Sequence, residues 1–142
     1  MADLSVPVSD DAPSGTYLKE TDKSKYRGLR NAFNAARSAY RSLTETPTTL
    51  GNPDLQDANE AAWQVLSEQA KEVLTQDTKD AEIFIWYVGS QVHLPNGLSK
   101  TIEALSQLTM VLETNWDTLN PRSSVEKLKA TDEMGQTKEI AE

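Results

Sequence analysis

The sequence predicts an all-α protein: an antiparallel bundle of about four to six helices around a central apolar helix. Two observations lead there. Apolar residues recur at steps of three and four through much of the chain between residues 22 and 116, which marks one buried face per helix. Between these stretches stand capping and turn-forming residues, among them Asp22, Pro47, Gly51, Pro53, Pro95 and Gly97. A length of 142 residues suits one domain with a real core.

The elements follow in order. Residues 1–18 hold Ser, Asp, Pro and Gly without a helical period and read as a flexible arm. A first helix is expected from Asp22, its N-cap, to Thr44, with Tyr26, Leu29, Phe33, Ala36, Tyr40 and Leu43 as its stripe. Thr46–Gln56 reads as a loop. A second helix is expected over Asp57–Thr75, with Trp63, Leu66, Ala70, Val73 and Leu74 on one face. A third follows Thr78-Lys79-Asp80, with Thr78 as the cap and Asp80 in the first turn. Its residues Ile83–Val88 are apolar all round, which places it at the buried centre; so short a run also suits a strand, but the capping signal favours a helix. A fourth helix runs from Leu98 to Trp116, with Leu98, Ile102, Leu105, Leu108, Leu112 and Trp116 on one face. The helical domain is thus residues 19–122, and residues 123–142 read as a polar tail or linker.

Composition narrows the function. The formal net charge is −8 at pH 7, which disfavours nucleic acid and anionic membranes as partners. There is no cysteine, so disulfides and zinc–thiolate sites are excluded. The longest apolar run is six residues, Ile83–Val88, whereas a membrane span takes about 20. No targeting segment is visible, and the expected setting is the cytoplasm.

No catalytic constellation assembles. His93 is the single histidine and reads as a helix-end residue near terminal carbonyls. The six glycines are isolated and form no phosphate loop. Glu68 and Glu72 lie one turn apart but lack the partners of a metal site and read as a solvated face. The expectation is a non-enzyme with no cofactor and no metal.

Charge is unevenly spread. Residues 19–41 carry seven Lys or Arg against two acids, a net of +5 within an acidic chain. On a helix, Lys23, Arg30, Arg37 and Arg41 line one edge of the apolar stripe. They either pair with acids of a neighbouring helix or form a strip that contacts a partner. Trp63, Trp86 and Trp116 fall on the apolar faces of three helices and read as core residues, the alternative being interface anchors.

The order of motifs resembles the N-terminal, ImpA-type domain of the TssA/ImpA family of type VI secretion. The resemblance runs over about residues 15–122. It is carried by Gly15 near Tyr17, a helix with Tyr26, Leu29, Arg30 and Phe33, then Trp63, the Thr78-Lys79-Asp80 step, Trp86, Gly97-Leu98 and the ending Trp116-Asp117-Thr118-Leu119-Asn120-Pro121. Ala81 stands where the family would have a leucine. The resemblance implies a cytoplasmic, non-catalytic assembly protein acting in baseplate and tail tube–sheath assembly through protein–protein contacts. It also implies self-association through rings built by a C-terminal region that this chain, read as a fragment or short member, lacks. The competing expectation is a helical adaptor or regulatory module unrelated to secretion.

Overall fold

The computed structural model describes residues 3–121 except 46 and 50. Five helices follow one another: α1 (Leu18–Thr21), α2 (Lys23–Thr44), α3 (Pro53–Gln76), α4 (Ala81–Val92) and α5 (Gly97–Asn115). Each packs on the next in chain order. Among the described residues there is no strand, only two isolated bridges, Gly15 with Thr78 and Asp80 with Asn120. The all-α expectation holds. The expected tail at 123–142 lies outside the described residues.

The helix starts show local chemistry at work. Asp22 caps α2 as expected, its carboxylate accepting from the Lys25 amide at 3.0 Å. Helix α3 begins at Pro53, earlier than the expected Asp57. Asn52 accepts there from the Asp54 and Leu55 amides, and Pro53 fills the first position, where a missing N–H costs nothing. Asp80 is the N-cap of α4, not a first-turn residue. It accepts from the Glu82 amide at 2.8 Å and from Ile83 at 3.3 Å. Thr78 is therefore no cap; fully buried, it accepts from the Asn120 amide group at 3.1 Å.

The core has two clusters bridged by one side chain. The larger gathers Tyr26 and Leu29 of α2, Ala70, Val73 and Leu74 of α3, and Ile83, Phe84 and Tyr87 of α4. The smaller holds Ala36, Trp63, Leu66 and Leu94. Trp86 packs against both, stacked on Phe33 with centroids 5.1 Å apart and tilted on Tyr26 at 5.9 Å. Helix α4 lies between α3 and α5 but is not buried on all sides: Ile85 is 62% and Val92 58% exposed. Its remaining side faces solvent because no further described helix covers it.

The segment before α1, read from composition as an arm, is packed onto the body. Leu4 is fully buried, and its amide donates to the Gln107 side chain of α5 at 3.2 Å. Ser14 bonds Thr118 at 2.7 Å and accepts from the Asn115 side chain at 3.1 Å. Gly15 has φ +64°, and a Cβ there would sit 2.1 Å from the Asp77 carbonyl oxygen, so only glycine fits. The Lys79 amide donates to the Ser14 carbonyl, and the Asn120 amide to the Lys79 carbonyl. The Thr78-Lys79-Asp80 step thus lies between the N-terminal segment and the turn that ends in Asn120 and Pro121, joined by a cis peptide bond.

That packing rotates α5 away from its expected pose. Its buried face is Ala104, Gln107, Val111 and Asn115, while Leu98, Ile102 and Leu105 are exposed. Trp116 is 72% exposed and is not the core anchor expected. The leucine stripe lies roughly a third of a turn from the buried face. The small and polar face faces inward because it carries the hydrogen-bonding partners of Leu4 and Ser14. Asp117 is exposed as well. Gly97 sits tightly under α4: a Cβ would come 2.5 Å from the Val92 carbonyl oxygen.

Candidate functional site

Helix α2 holds six Lys or Arg and no acid between Lys23 and Thr44. Among the described residues the one ion pair is Lys25 with Asp77, which ties α2 to the end of α3. The edge residues Lys23, Arg30, Arg37 and Arg41 are exposed and make no ion pair among the described residues. Pairing within the bundle, the first of the two expectations for this edge, is therefore not seen there among the described residues.

The C-terminal half of that edge borders a cleft of about 470 Å³. Phe33, Arg37, Tyr40, Arg41 and Thr44 line it from α2, Trp63 from α3, and His93 from the end of α4. Lys23 and Arg30 lie on the same edge outside the cleft.

The cleft walls are aromatic and mutually braced. The His93 ring stacks on Trp63, with centroids 4.2 Å apart and planes 7° from parallel. Tyr40 meets His93 edge-on at 4.9 Å, and Phe33 meets Trp63 edge-on at 6.4 Å. The Arg37 guanidinium rides over the Phe33 ring at 5.5 Å, an arrangement that holds the cation without neutralising it. Sequence reading missed His93 in this role. Its ring contacts Trp63, not the helix-terminal carbonyls, because Leu94 turns the chain inward just beyond it.

A hydrogen-bond relay orients the histidine. The Trp63 indole N–H donates to Asn59 Oδ1 at 3.0 Å. The Asn59 amide group then faces His93 Nδ1 at 3.4 Å, where Nδ1 is the acceptor. The ring proton consequently sits on Nε2. Burial pushes the imidazole below its ordinary value of 6.5, which favours its neutral form. Asn59 and Trp63 stand one helical turn apart, a spacing that could have signalled the relay, whereas nothing adjacent in sequence points to His93.

Arg37, Arg41, Tyr40 and His93 thus line a space with no carboxylate among its described lining residues. Such a set suits binding of an anion beside an apolar group. Among its described lining residues no nucleophile is paired with a base. Among the described residues no group of three His, Asp or Glu could hold a metal ion, and no helix is long and apolar enough to cross a membrane.

Comparison with protein-family models matches residues 6–136 to ImpA, N-terminal, type VI secretion system. No curated protein and no solved structure matches the chain.

Proposed function

Because this chain belongs to the ImpA N-terminal family of the type VI secretion system, we propose that it is a non-catalytic assembly domain that holds other components of that system through the basic edge of α2. The observation that carries the contact surface is the set of exposed cations at Lys23, Arg30, Arg37 and Arg41, without an ion pair among the described residues, in a protein of net charge −8. Isolated cations of this kind add little to folding. Arranged along one helix edge, they steer and orient an acidic partner.

The partners on this reading are cytoplasmic proteins of the baseplate, tube and sheath. Their contact with this chain positions them during tail growth. The motif residues Trp63, Thr78, Lys79, Asp80, Trp86 and Gly97 hold the fold that presents the edge, while Leu98, Trp116, Asp117 and Pro121 stand on its outer surface.

Binding of the purified chain to each purified tube, sheath and baseplate protein tests this directly. The wild type should retain at least one of them. Arg30→Glu with Arg37→Glu should abolish that retention with an unchanged circular dichroism spectrum. Retention unaffected by the double reversal would remove α2 as the contact surface. No retention of any component would favour the adaptor reading outside secretion.

A further inference from the structure

We infer that the cleft between α2, α3 and His93 is a docking site for an acidic peptide segment of a partner protein. It places one Asp or Glu carboxylate between Arg37 and Arg41 and a neighbouring apolar side chain against the exposed Tyr40 ring, with Phe33 and the buried Trp63 behind it. The inference rests on the assembly reading for its setting, and on the cleft alone for its chemistry.

Five features select this ligand. The charge is one-sided: Arg37 and Arg41 stand one helical turn apart, about 6 Å between Cβ atoms, with no carboxylate among the described residues of the cleft lining. That spacing lets both forks reach one carboxylate. The His93 ring offers a donor, because the relay from Trp63 through Asn59 leaves its proton on Nε2, whereas the Thr44 hydroxyl has committed its proton to the Tyr40 carbonyl at 3.0 Å.

The walls are apolar and preformed. Phe33, Tyr40, Trp63 and His93 are braced by ring contacts within α2, α3 and α4, so binding orders few side chains. The volume of about 470 Å³ accommodates a few side chains and no folded element.

The site also has a direction. Arg30 lies seven residues before Arg37, roughly 10 Å along the helix. An extended peptide covers that in about three residues. A second acid three positions from the first therefore reaches Arg30, and the cleft reads a pair of acids at that spacing. A polynucleotide fits less well, because its many phosphates would meet a protein of net charge −8 beyond this single edge.

The test titrates an acetylated, amidated octapeptide into the ¹⁵N-labelled chain. The peptide carries two Glu three positions apart and flanking Leu and Phe. Its Gln-for-Glu counterpart, hexathymidylate and inorganic phosphate are run in parallel. The expected result is saturable NMR shifts at the Trp63 indole N–H and the His93 imidazole, with a dissociation constant of about 1 mM or tighter. The Gln peptide should bind at least about tenfold more weakly, and so should the Glu peptide on the variant with Arg37→Glu and Arg41→Glu. The variant with Lys71→Glu and Lys100→Glu carries the same charge change away from the cleft and should bind within about twofold of wild type.

Absence of shifts at 5 mM peptide, equal binding of the Gln peptide, or equal weakening by the two charge variants would overturn the inference. Tighter occupation of the cleft by hexathymidylate or phosphate would overturn it as well. If these failures occur while component binding still depends on Arg30 and Arg37, the cleft assignment alone falls. If component binding also fails, the assembly reading falls with it.

Discussion

The ammonium of Lys79, with no exposed surface, donates to the main-chain carbonyl of Leu4 at 2.7 Å, seventy-five positions earlier in the chain. A second bond goes to the Leu74 carbonyl at the end of α3. One lysine thereby fastens the N-terminal segment to the last turn of a helix. The Lys-Asp step divides this labour between neighbours: Lys79 closes the chain's beginning onto the body and Asp80 starts α4.

Burial pushes the Lys79 ammonium from 10.5 down to about 8. Between those values the unfolded chain binds more protons than the folded one, so stability rises with pH across that window. Denaturant unfolding should show its midpoint climbing from about pH 8 toward pH 10 in the wild type, with the climb reduced in Lys79→Met. Above about pH 10 tyrosine opposes the trend, because burial and the bond to Glu82 raise the Tyr26 hydroxyl above its usual value and hold its proton in the folded state.

Two glycines separate necessity from tolerance. Gly15→Ala should destabilise by about 2 kcal/mol or more, given its φ of +64° and the 2.1 Å approach to the Asp77 carbonyl oxygen. Gly28→Ala, in the middle of α2 with open space around it, should stabilise by about 0.5–1 kcal/mol. Thermal melts of the two variants should move in opposite directions.

The tryptophans divide in the same way. Trp86→Ala should cost about 3 kcal/mol, since the ring joins both core clusters. Trp116→Ala should stay within about 0.5 kcal/mol of wild type, because the side chain is 72% exposed. A large loss from Trp116→Ala in denaturant unfolding would mean that α5 sits differently.

His93 should titrate below 6.5 when its imidazole is followed by NMR. Its neighbours are Trp63 and Asn59 from α3 and Tyr40, Arg37 and Arg41 from α2. None is an acid that would oppose the effect of burial. A depressed folded value means that the unfolded chain takes up the proton first on acidification. This residue's contribution to stability is therefore lost as pH falls below 6.5. An inflection above 6.5 would contradict the described cleft.

Much of the scaffold was legible in the residues. The α2 stripe, the Asp22 cap and the apolar α4 follow from spacing and from side-chain oxygen chemistry alone. The start of α3 was misjudged because Asn52 and Pro53 serve equally as turn formers and as a cap followed by a first helical residue. The orientation of α5 was not legible, because Leu4 and Ser14, which engage Gln107 and Asn115, stand over a hundred positions away. The same packing hid the role of residues 3–18. At the cleft, Arg37 and Arg41 could be placed on an edge from helical spacing. The lack of an ion pair for them among the described residues, and the stacking of His93 on Trp63, depend on tertiary contacts that no local pattern encodes.

The most direct test of the assembly role is an in-frame deletion of the gene that carries this chain, restored either with the wild-type sequence or with Arg30, Arg37 and Arg41 reversed to Glu. Sheath imaging and release of the tube protein are read together. Loss of release with missing or malformed sheaths, rescued by the wild type and not by the reversal, is the predicted result. Normal sheaths and normal release after deletion would contradict the assembly role.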